Sequence, residues 1–271
     1  MITTASIVLY NNRFDDICEL VNTIINETSI DQLFLIDNSK FDSLKINFND
    51  GRITYIHKSS NPGFGRAHNI AIKMAFDFNS RYHFVINPDV TFESHIIKSM
   101  LEAINSDDKI GMLMPKILNI DGSIQFLPKL LPSPCSVILR KIKWPKFEYV
   151  RFIEKYELRN ISQDLIYNAP ILSGCFTLLN LNAIKDVGMY DDIFFMYFED
   201  WDLSRRMQQK YKTIYFPRVS VYHGYESGAN KNIRLLKIFI SSFIKYFNKW
   251  GWFLDEERNR INKSTLRQFQ D

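Results

Sequence analysis

Tyr82-His83-Phe84-Val85-Ile86-Asn87-Pro88-Asp89 is a short β-prone run that stops on a polar triplet. Aromatic and β-branched residues in a run of this length read as a strand, and Pro88 cannot extend one inside a sheet. The pattern recurs upstream. Ser6-Ile7-Val8-Leu9-Tyr10 reads as a buried first strand, followed by an amphipathic helix over about Asp15–Asn26. Gln32-Leu33-Phe34-Leu35-Ile36 is a second strand, ending at Asp37-Asn38-Ser39, and Ile53-Thr54-Tyr55-Ile56 is a third. Asn61-Pro62-Gly63-Phe64-Gly65 then opens a helix through about Phe78. Strands alternating with helices predict βα units around a mostly parallel sheet. Ligands of such sheets bind at the carboxyl ends of the strands, so Asp37 and Asp89 are expected on one rim.

The later chain is less regular. Gly111-Met112-Leu113-Met114 predicts a strand, Asp121-Gly122 a turn, and Leu127–Pro134, with three prolines, a loop. Residues 135–165 mix basic and aromatic residues with weak periodicity and fit either a mobile loop or short helices. Ile171–Leu179 predicts a buried strand, and a helix follows the acidic cluster at Glu199 to about Lys210. Thr213–Phe216 and Val219–Tyr222 predict two short strands ending at His223-Gly224.

A chain of 271 residues, 46% apolar and 24% charged, has an ordinary globular composition and can bury a substantial core. Cys18, Cys135 and Cys175 are widely spaced, which predicts reduced thiols and a cytoplasmic setting. The start lacks a basic-then-apolar leader, so export is not expected. No apolar run approaches the roughly 20 residues that span a bilayer. Residues 226–271 hold nine Lys/Arg against five Asp/Glu, and that excess of four is the whole net charge of +4. Residues 1–225 therefore balance, which excludes a nucleic-acid binder built on a basic face.

Three segments have the composition of a site. Phe194-Phe195-Met196-Tyr197-Phe198 runs directly into Glu199-Asp200-Trp201-Asp202 and, beyond it, Arg206. Carboxylates emerging from an aromatic wall need a cation, a metal or a reacting proton, though acids also favour a helix N-terminus. Asp202 stands four residues before Arg206 on one helix face, which is a structural pairing. In Asn61–Asn69, Gly63 and Gly65 permit close approach of a ligand, and Arg66 at the helix start favours anions. The same segment also fits a plain helix-start turn. Asn87-Pro88-Asp89 offers oxygen ligands of the kind magnesium takes alongside substrate phosphates. His223, after a strand, adds a candidate nitrogen ligand.

In this order and spacing, Ile36-Asp37-Asn38-Ser39, Asn61–Gly65, Asn87-Pro88-Asp89, Ser173-Gly174-Cys175-Phe176, Phe194–Asp202 with Arg206, and His223 resemble the family 2 glycosyltransferases of GT-A fold. The likeness runs from Ser6 to about Lys249 and is nearest the bacterial rhamnosyltransferase-like branch of O-antigen, lipopolysaccharide and other polysaccharide biosynthesis. It implies an α/β domain over residues 1–225, Rossmann-like with a mixed sheet flanked by helices. Residues 1–120 would form its nucleotide-sugar half, residues 121–225 its acceptor and catalytic half, and 226–271 a basic helical tail. It implies an inverting, metal-dependent hexosyltransferase with Mg²⁺ or Mn²⁺. The expected donor is dTDP-L-rhamnose, with UDP-glucose, UDP-galactose and UDP-N-acetylhexosamines as alternatives. The expected acceptor is a sugar on undecaprenyl diphosphate. By the same likeness Asp200 is the general base and Glu199 its acceptor-side support. Asp37, Asn38, Gly63, Gly65, Arg66, Asn87, Ser173 and Gly174 would bind the nucleotide sugar, and Asp89 and His223 the metal. Asn87 replaces the first acid of the family's DXD element, which alters the ligand set.

In a helix over Asn230–Trp250, Lys231, Arg234, Lys237, Lys245 and Lys249 share one face. Leu236, Phe239, Ile240, Phe243, Phe247 and Trp250 share the other. That pattern fits a helix in a membrane interface, peripheral on the cytoplasmic face of the inner membrane, and equally a helix packed on the domain. Two rival classes share part of this pattern. A nucleotidyltransferase needs a basic glycine-rich first loop, which Tyr10-Asn11-Asn12-Arg13 is not. A non-catalytic nucleotide-sugar or lipid-binding module would keep the fold without needing Asp200.

Overall fold

Thr3–Leu9 forms β1, which lies between two parallel neighbours in the computed structural model, whose described residues are 1–224 and 232–270. One neighbour is β2 (Gln32–Asp37), itself followed by β3 (Ile53–His57) at the sheet edge, and the other is β4 (Tyr82–Ile86). The helices between them are α1 (Phe14–Asn26) and α2 (Phe64–Asp77). Helix α2 turns Ala67, His68, Ala71, Ile72 and Ala75 inward, and the three alanines let it sit close on β1 and β2. The first half thus folds as expected: Asp37 is the last residue of β2 and Asp89 follows β4, both at the carboxyl ends of parallel strands.

The second half adds antiparallel strands to the parallel first half, giving the mixed sheet that the resemblance implies. Beyond β4 come the short β5 (Val90–Thr91), α3 (His95–Asn105) and β6 (Ile110–Leu118). Then follow α4 (Pro134–Ile142), α5 (Lys146–Tyr156), β7 (Tyr167–Asn168), β8 (Phe176–Asn180), α6 (Leu181–Val187), α7 (Glu199–Met207) and β9 (Lys212–His223). The sheet order is β3-β2-β1-β4-β8-β6-β9-β5, with β7 also on β9. Strand β8 runs antiparallel between β4 and β6, and all five of its residues are buried.

Other expectations shift locally. The strand expected over Ile171–Leu179 begins only at Phe176, and Ile171 makes an isolated bridge to Lys129. The two strands expected around Pro217 are the single β9. Its register against β6 jumps between Phe216 and Ser220, a bulge at the residue that lacks an N–H. Residues 135–165 contain two helices; α4 starts on Ser133, whose hydroxyl accepts from the Ser136 N–H, with Pro134 in the first turn.

The tail forms α8 (Ile233–Trp250) and α9 (Glu256–Arg267); Asn230 and Lys231, assigned to the helix from sequence, lie outside the described residues. Tyr246 and Phe247 of α8 are buried with Val137, Phe194 and Phe198, each burial contributing roughly 1.5–3 kcal/mol. Helix α9 is tied by the buried pair Arg205–Asp255 at 2.6 Å. Among the described residues no helix is long and apolar enough to cross a membrane.

Two buried histidines join Ser6 and Thr4 in a polar chain that ends at the unpartnered His68 Nε2. Ser6 Oγ lies 2.8 Å from both His68 Nδ1 and His83 Nε2, and His83 Nδ1 lies 2.7 Å from Thr4 Oγ1. One tautomer each (Nδ1–H) lets every donor in that chain meet an acceptor. Burial holds both imidazoles neutral, pushing His83 down to about 3 and His68 well below the ordinary value.

Candidate functional site

Helix α7 places Glu199 and Asp200 in its first turn, and the approach to it is strained. Tyr197 and Phe198 both have φ 69°, the left-handed region that bulky residues avoid at roughly 1–3 kcal/mol each. Packing holds them there. The Phe198 ring lies 4.6 Å from Trp201, 5.2 Å from Phe239 and 5.4 Å from Tyr246, and Tyr197 lies 5.6 Å from Phe239. The glycine turn clamps the same segment from the other side. The Phe64 N–H donates to Phe195 O at 2.9 Å, and a Cβ on Gly63 (φ +96°) would stand 2.1 Å from that oxygen. A Cβ on Gly65 would stand 2.9 Å from Tyr190 Cβ. Both glycines thus admit the acidic segment against α2.

The two carboxylates have different surroundings. Asp200 accepts from the Trp201 N–H at 2.9 Å and from the Gly174 N–H at 3.4 Å. Burial raises its pKa, while the Gly174 N–H and the nearby Lys129 charge oppose the rise. Glu199 is buried, its Oε2 has no hydrogen-bond partner, and burial together with the Asp200 charge pushes it well above the carboxylate range. A proton held by this pair therefore resides on Glu199, leaving Asp200 ionised.

The second pole joins Asp89, Asn87 and His223. His223 Nε2 lies 3.3 Å from Asp89 Oδ1 and 3.3 Å from Asn87 Nδ2, and its Nδ1 lies 3.0 Å from Gln125 Oε1. Gln125 also donates from Nε2 to the His223 carbonyl at 2.8 Å, which fixes its amide so that Oε1 takes the Nδ1–H. Nε2 then faces Asp89, donating to its carboxylate when the ring is protonated and offering a lone pair to a metal when it is neutral. Burial raises Asp89, but the His223 hydrogen bond and charge outweigh it and hold the carboxyl below its usual range. Asn87 Oδ1 is buried without a partner. A carboxylate, an imidazole nitrogen and an orphaned amide oxygen fit a divalent cation that keeps waters or substrate oxygens as its other ligands. Among the described residues no three His, Cys, Asp or Glu cluster as a closed cage.

A cavity of about 480 Å³ connects the poles, with Ser173, Glu199, Asp200 and His223 on its wall. Gly174 backs Asp200; a Cβ there would meet the Phe64 ring at 3.2 Å. Asp37 lies apart, buried, accepting from Tyr55 Oη at 2.6 Å and from the Ser39 N–H at 2.8 Å. Asn38 beside it has an unpartnered Oδ1. Arg66 turns outward and donates to Asp192 O at 2.8 Å. The sequence reading missed Gln125 and the cavity cations Lys129, Arg140, Lys141, Lys143 and Arg159. Lys129 is 4% exposed and pushed down to about 8 by burial and then by Arg140. Its one signal was a lysine set between Pro128 and two leucines.

Comparison with known proteins places this geometry in context. The sequence profile described as Glycosyl transferase family 2 matches residues 4–188. The N-acetylglucosaminyl-diphospho-decaprenol L-rhamnosyltransferase of Mycobacterium tuberculosis is 28% identical over 144 residues, 51% of this chain and 45% of that protein. The low-salt glycan biosynthesis hexosyltransferase of Haloferax volcanii is 21% identical over 213 residues, 78% of this chain and 63% of its own length. Among solved structures, GalNAc-T7 with UDP, GalNAc and Mn²⁺ has a TM-score of 0.62 at 16% identity, covering 91% of this chain and 50% of that one. A mannosyltransferase from Pyrobaculum calidifontis with GDP-Man and Mn²⁺ has a TM-score of 0.56 at 11% identity, covering 83% and 57%. The chain thus spans about half to two thirds of the length of each. The architecture of the sheet and its helices is that of the GT-A glycosyltransferases.

Proposed function

The chain belongs to glycosyl transferase family 2, and on that premise we propose that it transfers a sugar, with inversion, from a nucleotide-diphosphate donor to a hydroxyl of a saccharide acceptor. The observation that carries this reading is that Asp200, held by two backbone N–H donors, and the Asp89–His223 pole share one cavity. Asp200 takes the acceptor proton as the acceptor oxygen bonds to the anomeric carbon and the bond to the donor's phosphate oxygen breaks. Its two backbone N–H donors fix the carboxylate, and Glu199, holding its proton, leaves Asp200 the charge. Asp89, His223 and Asn87 are the residues that would hold Mg²⁺ or Mn²⁺, which when bound neutralises the leaving diphosphate. Tyr197 and Phe198, which line the cavity, exclude water and favour transfer over hydrolysis.

In this reading Asp37 and Asn38 meet the nucleotide, with Gly63, Gly65 and, on leaving Asp192, Arg66 beside them. Ser173 and Gly174 border the sugar. Residues 1–120 are the nucleotide-sugar half, 121–225 the acceptor half. The donor is dTDP-L-rhamnose, supported by the rhamnosyltransferase relative, with UDP-hexoses as alternatives. The acceptor is a diphospholipid-linked saccharide, supported by the same relative's name, and the site of action is the membrane surface. Helix α8 supports that placement: Phe239, Phe243, Phe247 and Trp250 pack inward, while Ile233, Leu236, Ile240 and Ile244 form an exposed stripe. The test is hydrolysis and transfer over a panel of nucleotide sugars, with and without Mn²⁺ or Mg²⁺, on the wild type and Asp200→Asn. Donor binding without turnover in any arm would favour a non-catalytic binding module.

A further inference from the structure

The hairpin of α4 and α5 carries chemistry that Asp200 and the Asp89–His223 pole do not use. Its inner side gives the cavity Arg140, Lys141 and Lys143, and Lys129 and Arg159 line the same wall. Against these five cations stand, among the described residues, three acidic side chains: Glu157, which Arg140 and Arg159 already flank at 3.2 and 2.5 Å, Asp200, and Glu199, whose burial and the Asp200 charge favour its neutral form. Like charges gathered on a concave, partly desolvated wall repel one another and attract an anion. The cations lie on different elements from Asp89 and Asn87, where the donor diphosphate is proposed to sit.

The outer side of the hairpin is apolar and exposed. Ile142 is 62% exposed, Trp144 73% and Phe147 70%, and Glu148 is the one acid between Ile138 and Arg151. The two characters meet at the cavity rim. Lys143 lies between Ile142 and Trp144, and Phe239, whose ring lies 4.3 Å from Lys141 Nζ, lines the cavity just before the exposed Ile240 of α8. A ligand complementary to both carries phosphate on a long apolar chain.

We propose that the α4–α5 hairpin seats a prenyl-linked diphosphate, its phosphates held by Arg140, Lys141 and Lys143 and its chain laid over Ile142, Trp144 and Phe147. This rests on the reading of the protein as a transferase to a lipid-linked saccharide and assigns the part of the acceptor that is not sugar. The hairpin thereby sets which end of the acceptor enters the cavity.

The test is titration calorimetry of the full chain with farnesyl diphosphate and with inorganic diphosphate. Farnesyl diphosphate is expected to bind at least tenfold tighter, since burial of about two methylenes already supplies that factor. Lys141→Ala with Lys143→Ala is expected to weaken both ligands by tenfold or more. Trp144→Ser with Phe147→Ser is expected to weaken only the prenyl ligand. All four side chains sit on a surface hairpin, and an unchanged thermal melt shows the variants folded. Equal affinity for the two diphosphates overturns the proposal, as does displacement of farnesyl diphosphate by dTDP or by phosphatidylglycerol vesicles, or insensitivity to both double variants. Binding is read without turnover. Prenyl selectivity in a chain that turns over no nucleotide sugar would remove the transferase reading and keep the seat; turnover without prenyl selectivity would do the reverse.

Discussion

Trp250 donates its indole Nε1–H to Asp202 Oδ1 at 2.9 Å, joining the end of α8 to the first turn of α7. Asp202 has no exposed surface, and it also pairs with Arg206 at 2.8 Å and Lys249 at 2.7 Å. Arg206 in turn donates to the carbonyls of Val187, Gly188 and Met189. Of three neighbouring acids, this one holds helices together while the other two face the cavity.

Asp202→Ala should therefore be a stability variant. Removing one member of a buried ionic cluster strands the others, at a cost of about 3–5 kcal/mol. Trp250→Phe loses one hydrogen bond and should cost about 1 kcal/mol. Guanidinium unfolding measures both; near-equal losses would contradict the assignment.

Asp200 and Glu199 should respond unequally to neutralisation. Asp200→Asn is expected to lower transfer by about 10²–10⁴ while nucleotide binding persists. Glu199→Gln replaces a protonated carboxyl by a neutral amide of similar shape and should cost less than about tenfold. Because burial raises the Asp200 pKa, the acid limb of kcat should lie above the range of an exposed aspartate. Steady-state kinetics across pH check both statements, and a larger loss in Glu199→Gln would exchange their roles.

Gly63→Ala should unfold the approach to the acidic pair. The new Cβ would meet Phe195 O at 2.1 Å in a backbone conformation at φ +96°. A loss above about 3 kcal/mol, more than conformational strain alone, is expected. Gly122→Ala is the control, since Gly122 has φ +82° but nothing within 4 Å, so only strain of about 1 kcal/mol applies. Comparable melting temperatures for the two would contradict the clamp.

The paired histidines should make the fold acid-sensitive above the carboxylate range. His83 titrates at about 3 when folded, against about 6.5 in the unfolded chain. Between those values the unfolded state binds more protons, so stability is complete above about pH 6.5 and falls as pH falls. The slope approaches about 1.4 kcal/mol per pH unit per histidine. Unfolding at pH 7 and pH 5 should differ accordingly, and His83→Gln should flatten the dependence.

Gln125→Ala should weaken Mn²⁺ binding by about 10–100-fold by releasing the His223 ring that it orients. His223→Ala should weaken it further. Calorimetric titration with Mn²⁺ reads both, and an unchanged affinity in Gln125→Ala would remove the orienting role.

The strands up to Ile86 were legible because each is a short apolar run closed by a turn residue, and no distant partner is needed to define it. The rim acids were legible for the same reason. The α4–α5 hairpin was not: Lys146–Tyr156 buries only Ile153 and Tyr156, so its periodicity is faint and its position depends on contacts from Arg140 and Leu130. Nor was Gln125, whose role exists only through a histidine 98 positions away. Gly63 and Gly65 were legible as special positions, but the backbone they admit comes from Phe195, which local spacing cannot reveal.

Strand β8 has a consequence for synthesis. As the chain leaves the ribosome, β1 to β4 have their parallel partners at hand, yet β4 presents an open edge until residues 176–180 emerge. Strand β6 waits longer, because both of its neighbours, β8 and β9, are made after it. Until residues 176–180 emerge the nascent chain exposes three unpaired apolar edges, one on β4 and two on β6, the kind of surface that joins other chains. Slow translation across residues 120–223 should therefore lower the soluble yield, and chaperones that shield strand edges should raise it.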